Sequence, residues 1–306
     1  MTRQDPVRSD GIPSGIAPPP GWHAYFAFTI GIMAVSTGAI FARTADSPAL
    51  VTAAYRVGLA ALMIVPMGVW RAGQELKQLS RKEMGLAVIS GFFLALHFAV
   101  WISSLDYTSV ANSVVLVNTI PIWVGLLSFI VTGERVKMTT GIGIVLSVIG
   151  AVVIGVGDMK AGEGAFVGDL LALAGGLCAA LYLLLGRNLR RNLSLTAYVT
   201  VCYSSAAVFL WVVVILLGLP VSGFDTGTWA SLWGMALVAQ VIGHSSYNWA
   251  LKWFGAGVVA VGLLGEPIGA TIMAYLFFGE GLTAVKFMGC GLILTAICVT
   301  AAGQRR

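Results

Sequence analysis

The chain carries ten apolar stretches, each close to the roughly 20 residues that an α-helix needs to cross a hydrocarbon core of about 30 Å. Together they account for most of its 306 residues. An unpaired backbone amide in lipid costs several kcal/mol, so we expect every stretch to be helical. The sequence therefore predicts an all-α polytopic membrane protein with ten transmembrane helices. The predicted spans are 22–42, 50–70, 84–104, 110–131, 139–156, 168–186, 196–217, 229–250, 258–278 and 285–302.

Composition and cysteine usage narrow the class further. With 58% hydrophobic residues, 10% charged residues and a mean hydropathy of +0.90, the chain lies outside the range of soluble domains of this size. Its four cysteines show no metal-ligand spacing and fall inside predicted spans, so we interpret them as small apolar core residues. We expect neither a metal nor another cofactor. The cysteines are Cys178, Cys202, Cys290 and Cys298.

One signature occurs twice and divides the chain into repeats. Pro-Ile, ten residues and Gly-Glu run from Pro121 to Glu134 and again from Pro267 to Glu280, at a constant separation of 146 residues. Each copy lies at the fourth span of a five-span unit. Because five crossings are an odd number, the second unit must run in the opposite direction through the membrane. We expect two inverted five-helix repeats, at 22–156 and 168–302, joined by an external linker at 157–167.

Basic residues are distributed unevenly between the two sides of the membrane. If the amino terminus is cytoplasmic, fourteen of the 18 Lys and Arg residues fall inside, and only Arg43, Lys160 and Lys286 fall outside. The positive-inside rule thus predicts a bacterial-type inner-membrane protein with two cytoplasmic ends, a disordered tail at 1–21 and a short tail at 303–306. The net charge of +5 reflects this orientation and does not indicate nucleic-acid binding.

Three segments carry a resemblance to a known family. They are Ala54-Tyr55-Arg56, Ile120-Pro121-Ile122 through Gly133-Glu134, and Gly265-Glu266-Pro267 through Gly279-Glu280. Over about residues 22–302 the chain resembles the drug/metabolite transporter superfamily, specifically its ten-helix members with two EamA-type repeats. The resemblance implies a mid-membrane cavity near helices one, three, four, six, eight and nine, and transport of small organic molecules, often outward. Gly281 departs from the family, which often has arginine there, and this weakens a salt bridge at Glu280.

Glu266 is the only acidic residue well inside a predicted span, about 12 Å along the ninth helix. An ionisable group at that depth is costly and is by default a functional candidate, as a proton carrier or as a partner for a cationic substrate group. Pro267 lacks an amide hydrogen, so we expect a kinked helix with the Leu263 carbonyl freed beside the carboxyl. The alternative is a permanently protonated Glu266 that holds two helices together.

The fourth span carries the equivalent proline, Pro121, preceded by Ile120 rather than by an acid. The two halves are therefore chemically unequal, which suits an amphipathic substrate. Asn118 and Thr119 add polarity nearby, and either line the pathway or satisfy freed backbone groups.

Arg56 lies near the predicted outer end of the second span. Its long side chain can extend to the interface, or its guanidinium can bind an anionic group such as a carboxylate. The family resemblance includes this arginine irrespective of the substrate that a member transports. We therefore favour a structural or gating role.

Polar and aromatic side chains recur at helical spacing on three predicted spans, and cannot all face lipid. One interpretation is a cavity wall that stacks on an apolar substrate body and binds its polar end. The other is hydrogen bonding between helices, or, for Trp101, a place in the interfacial aromatic belt. The residues are His97, Trp101 and Ser104, then Gln240, His244, Tyr247 and Asn248, and, ranked lower, Tyr182 with Cys178.

Glu134 and Glu280 lie at the carboxyl ends of the predicted fourth and ninth helices, on opposite faces of the membrane. A carboxylate at a helix carboxyl end opposes the macrodipole, so we expect them to cap the next helix, to pair with nearby bases or to lock a gate.

These observations predict a secondary transporter that moves a small organic metabolite or drug, amino-acid-like molecules included, by alternating access. Export with proton coupling is favoured over uncoupled facilitation, exchange or uptake. The sequence contains no Gly-rich phosphate loop, which argues against an ATP-driven pump. A membrane enzyme or receptor is less favoured because His23, His97 and His244 are scattered over three helices. The expected partners are the substrate and the lipid bilayer; a monomer suffices, and a homodimer is compatible.

Overall fold

The computed structural model describes residues 22–108, 110–156, 165–278 and 283–304, and within these ranges the regular structure is entirely helical. The helices form ten spans, numbered 1 to 10 in chain order. Spans 1, 4 and 9 each consist of two helices, and span 8 has a π-helical middle. The bounds are Trp22–Ser36 with Gly38–Thr44; Ala49–Gln78; Arg81–Ser104; Val110–Val117 with Ile120–Thr132; Met138–Val156; Ala165–Arg190; Leu195–Leu216; Thr226–Gly234, Met235–His244 (π) and Ser245–Ala250; Ala256–Leu263 with Gly265–Phe278; and Ala284–Gln304.

The length and apolarity of the spans confirm the membrane class. Among the residues that the structure describes, six helical segments are long and apolar enough to cross a bilayer, and three further apolar helices, in spans 4, 5 and 10, are shorter. In span 4 the chain divides the crossing between two helices, which explains why its apolar helix is short.

Several span boundaries differ from the sequence prediction. Span 2 continues to Gln78 rather than Trp70, because its last turns contain good helix formers that project beyond the apolar region. Span 3 then begins at Arg81, where the Ser80 hydroxyl and the Glu83 carboxylate each accept the other's backbone N–H in a capping box. Span 6 begins at Ala165, so 165–167 are helical rather than linker. Span 10 likewise runs to Gln304, whereas the predicted tail at 1–21 lies outside the described residues.

Spans 4 and 9 break at equivalent places. The breaks fall at Asn118–Thr119 and at Leu264, and 118 and 264 are separated by the 146 residues of the repeat. Pro121 and Pro267 follow within three residues, where a proline is tolerated because the first turn of a helix has unpaired amides anyway. The predicted kink in span 9 is therefore a full break between two helices.

Two irregularities carry no signal in the hydrophobic pattern. Span 1 breaks at Thr37, whose hydroxyl donates to the Ala34 carbonyl at 2.6 Å. Span 8 is π-helical from Met235 to His244, a rare geometry that occurs most often at functional sites. Both were predicted as continuous α-helices.

The spans pack in pairs that the repeat relates to one another. Spans 3 and 6 pack together, as do their counterparts 8 and 1; spans 2 and 7 pair with each other, as do 5 and 10. In the last pair a Cβ atom at Gly143 would collide with the Thr300 hydroxyl, so small residues set the approach. Successive connections alternate between two ends, called the Glu134 end and the Asp225 end after their loops. Five crossings per repeat thus invert the second repeat.

Candidate functional site

A cavity lies between the two repeats, where the breaks of spans 4 and 9 meet. Spans 1, 3, 4, 6, 8 and 9 line it, as the family resemblance implied, and span 2 joins them through Arg56. The polar lining of the first repeat is Arg56, His97, Trp101 and Asn118. That of the second repeat is Tyr182, His244, Tyr247 and Glu266.

The cavity lining follows the repeat. Four pairs of lining residues are separated by 146 positions, so equivalent points of the two repeats face the same space. In three of these pairs the second repeat has the residue that can ionise or carry a hydroxyl, while the first has an aromatic or aliphatic one. The pairs are Phe98 and His244, Trp101 and Tyr247, Val117 and Leu263, and Ile120 and Glu266.

Arg56 does not extend to the membrane interface, so that expectation is wrong. Its side chain is only 1% exposed and lines the cavity. Nε donates to Gln240 Oε1 at 2.9 Å, and the guanidinium carbon lies 4.0 Å from the ring centroid of Phe98. These contacts turn the side chain inward, because hydrogen bonding and the ring face compensate for lost hydration.

Glu266 lies in the first turn of the second helix of span 9 and lines the cavity with a partly exposed side chain. The lining therefore includes one basic residue, Arg56, and one acidic residue, Glu266. Ser36 of span 1 donates to the Glu266 backbone carbonyl at 3.2 Å, which ties the two spans at this point.

Five buried polar atoms at or beside the cavity have no hydrogen-bond partner among the residues that the structure describes. Buried polar groups in proteins are nearly always paired, so a cluster of this kind indicates missing ligand or water partners. At least four of the five are able to donate, which favours a partner rich in acceptors. The atoms are Arg56 Nη1, Trp101 Nε1, Gln240 Nε2, His244 Nδ1 and the Tyr247 hydroxyl.

Other predicted residues of the first repeat have defined partners. His97 Nδ1 lies 3.0 Å from the Gly175 carbonyl, so this nitrogen carries the proton. Trp101 stacks beside His97 and is 3% exposed, which rules out a place in the interfacial belt. Asn118 lines the cavity, and its side-chain amide donates to the Val114 carbonyl at 2.8 Å, which also accepts the Asn118 backbone N–H, so this contact does not satisfy a carbonyl freed by Pro121.

Gln240 and Asn248 are buried behind the cavity rather than in its lining. Asn248 accepts a hydrogen bond from the Tyr182 hydroxyl at 2.8 Å and donates to the Tyr203 hydroxyl at 3.3 Å. Of the two interpretations, cavity wall or hydrogen bonding between helices, the second therefore describes Asn248 better. Tyr182, ranked low from the sequence, lines the cavity. Phe98 was overlooked, although it occupies the position equivalent to His244.

At the Glu134 end, Glu134 and its partner Arg187 link the loops that connect spans 4 and 5, 6 and 7, and 8 and 9. Glu134 Oε1 lies 2.8 Å from Arg187 Nη2 and 2.6 Å from Arg191 Nη2, which confirms pairing with nearby bases. Arg187 also donates to the Leu251 carbonyl at 2.7 Å. Burial alone would raise the pKa of Glu134, but the hydrogen bonds from the two arginines outweigh it and leave the pKa below its ordinary value. Glu280 lies outside the described residues.

The cysteines and possible metal ligands add no further site. Cys202 is buried as expected, but Cys298 is exposed on span 10, so it is not a core residue. Within the part of the chain that the structure describes, no three His, Cys, Asp or Glu side chains gather as metal ligands would.

Two inverted repeats of five spans that enclose a polar cavity define the architecture of a membrane transporter. The EamA-like transporter family matches residues 22–156 and 166–302, and the chain belongs to this family, within the drug/metabolite transporter superfamily.

Relatives agree with this assignment, and a solved structure shares the fold. The chain is 27% identical over 263 residues to the uncharacterized transporter YyaM of Bacillus subtilis (strain 168), covering 83% of this chain and 85% of that protein. It is 24% identical over 276 residues to an uncharacterized transporter of Archaeoglobus fulgidus, covering 89% and 94%. A protein crystal structure superposes with a TM-score of 0.76 at 18% identity, over 93% of this chain and 98% of that one, and so shares the fold.

Proposed function

We propose that this transporter is a secondary transporter that exposes the cavity between its repeats alternately to the two sides of the inner membrane. Its substrate is a small amphipathic molecule with an anionic acceptor group and a cationic group, as in an amino acid. The observation that carries the proposal is the presence of Arg56 and Glu266 in the lining of one cavity, with unpaired donors at or beside it. A carboxylate satisfies a guanidinium well, and a substrate ammonium suits Glu266.

The apolar part of the cavity supports an amphipathic substrate. Phe98, Leu183 and Leu263 line it and offer surface to an aliphatic or aromatic body. Polar contacts then fix the orientation of the substrate while apolar contacts supply much of its affinity.

Proton coupling is assigned to Glu266, the titratable carboxylate of the cavity. A proton on Glu266 would remove the charge that attracts the substrate ammonium, so proton binding and substrate binding would compete. Such competition is what an antiporter that exports substrate against inward protons requires. Uncoupled exchange is the alternative, and it needs no titration of Glu266.

The Glu134 cluster is proposed as the gate on the cytoplasmic side, with both termini on that side. Glu134 belongs to the first repeat and its arginine partners to the second, so their ion pairs hold the repeats together at this end. Opening toward the cytoplasm would require these pairs to separate.

Thermal-shift screening of the purified protein against the twenty common L-amino acids tests the substrate class, because a ligand of the folded state raises the melting temperature. For leucine, two analogues separate the charges: 3-methylbutylamine lacks the carboxylate and 4-methylpentanoate lacks the amine. The proposal expects at least one amino acid to bind and its two analogues to bind at least tenfold more weakly. No stabilisation by any amino acid would overturn it.

A further inference from the structure

The geometry points to Gln240 as the positioning residue for Arg56: it holds the guanidinium against Phe98 so that the free Nη edge meets the substrate's anionic group. Gln240 does not line the cavity and is fully buried, so it acts through Arg56 rather than by touching the substrate. The consequence for binding rests on the proposed function, whereas the positioning itself does not.

Two contacts define the orientation of the guanidinium. Nε donates to Gln240 Oε1 at 2.9 Å, and the centroid of the Phe98 ring lies 4.0 Å from the guanidinium carbon. Only an oxygen can accept from Nε, so this bond also fixes which way the Gln240 amide faces. Nη1 has no hydrogen-bond partner and belongs to a residue that lines the cavity.

Arg56 and Gln240 belong to different repeats and to packed spans, 2 and 8. Gln240 lies inside the π-helical segment, whose presence in the middle of an otherwise α-helical span is costly and usually functional. The Arg56–Gln240 bond therefore couples the anion-binding group of one repeat to the irregular helix of the other.

The repeat shows that packing does not require this polar pair. The equivalent of Arg56 is Cys202 and the equivalent of Gln240 is Leu94, and both are fully buried. Spans 7 and 3, which carry them, pack together as spans 2 and 8 do. The same place in the fold thus accepts a small thiol and an aliphatic side chain. Burying the charged guanidinium of Arg56 and an amide nitrogen of Gln240 without a partner costs free energy. A role in substrate binding explains why the second repeat's Gln240 and the first repeat's Arg56 are nevertheless present.

A substrate-independent experiment tests the positioning. The protein, labelled with ¹⁵N-arginine in lipid nanodiscs, should show a solvent-protected Nε–H resonance that is assigned to Arg56 by its loss in Arg56→Lys. The buried Nε–H of Arg190, which donates to the Asn248 carbonyl at 2.8 Å, should give another protected resonance that remains in that variant and serves as an internal control. Gln240→Met, which keeps the length but removes the acceptor, should shift the Arg56 resonance and speed its exchange with solvent. Gln240→Glu should keep it protected. An unchanged Arg56 resonance in a folded Gln240→Met variant would overturn the inference.

A double-mutant cycle with leucine as the probe tests the consequence. Gln240→Met should weaken leucine binding about tenfold, but should have no further effect in an Arg56→Met background. Gln240→Glu should also weaken binding, since it neutralises Arg56, although the bond survives. Leu94→Met, at the equivalent position, is the control and should bind like the wild type.

The two hypotheses fail differently. If no amino acid binds the wild-type protein but the resonance behaves as expected, the substrate class is wrong and the positioning stands. If leucine binds and Gln240→Met binds it as tightly as the wild type, Gln240 does not position Arg56 for binding.

Discussion

The two repeats contribute equivalent positions to one cavity but unequal chemistry. At three of the four matched points the second repeat has His244, Tyr247 or Glu266 where the first has Phe98, Trp101 or Ile120. Packing partners are shared between the repeats, but the backbone is not: His244 ends the π-helical segment of span 8, whereas its equivalent Phe98 lies in the regular α-helix of span 3. The comparison teaches that the fold accepts aromatic or aliphatic residues at these three points, so the polar residues of the second repeat there are not required by the fold, while the first repeat places its own polar residues Arg56, His97 and Asn118 at other points of the lining.

The largest effect is expected for the two charges of the cavity. Arg56→Met should reduce leucine binding and flux by about 10- to 100-fold, because a hydrogen bond to a charged group contributes about 1.5 to 3 kcal/mol. Cys202→Met changes the equivalent position of the other repeat and should leave flux within about twofold. Equal losses in both variants, measured in proteoliposomes, would mean that the position matters for packing alone.

Glu266→Gln should abolish the dependence of flux on a pH gradient while leucine exchange at equal pH persists at a reduced rate. The variant removes the only titrating carboxylate of the cavity lining but keeps its shape. Ile120→Val, at the equivalent position, serves as the control. Unchanged flux with an undiminished gradient response in Glu266→Gln would eliminate this residue as the proton carrier.

Exchanging residues between the halves sharpens the comparison. His244→Phe introduces the residue of the equivalent position and should weaken leucine binding several-fold, since it removes a polar group that faces the cavity. Phe98→Leu, on the apolar wall, should change affinity for apolar side chains while retaining the need for a carboxylate. The melting temperatures of both variants show whether a loss of binding reflects unfolding.

The Glu134 gate should respond to mutation but not to moderate pH. Its pKa is lowered, so the ion pairs are present above the ordinary glutamate value of about 4.3 and are lost only as pH falls through the lowered value. Glu134→Gln should speed hydrogen exchange several-fold at 191–194 and 251–255 at neutral pH. Glu83→Gln, in a capping box at the same end, should not affect those segments. Exchange that rises equally in both variants would argue against a gate.

The smallest effect is expected for stability. Replacing Arg56 and Gln240 together, by Met and Leu, should leave the melting temperature unchanged or slightly raised, because apolar replacements of a buried polar pair are often neutral. The single variant Gln240→Leu should be less stable, since it leaves Arg56 without its acceptor. A double variant that fails to fold would show that the pair is structural.

The sequence was sufficient for the class, the repeat and most of the cavity. Span number follows from apolar length, and the 146-residue separation locates the breaks in spans 4 and 9 through Pro121 and Pro267. It did not indicate the break at Thr37 or the π-helical segment, because neither changes the hydrophobic pattern. The sequence left open whether Arg56 extends to the interface or turns inward, because depth along a span does not tell which way a long side chain turns; that depends on Gln240 and Phe98, which come from other spans.

The most direct test of the account is a cryo-electron microscopy structure of the transporter with the amino acid that stabilises it most. The account predicts density in the cavity between the repeats, with the carboxylate at Arg56, the amine facing Glu266 and the side chain on the Phe98 wall. An amino acid bound outside this cavity, or bound within it away from both charges, would contradict the central claim.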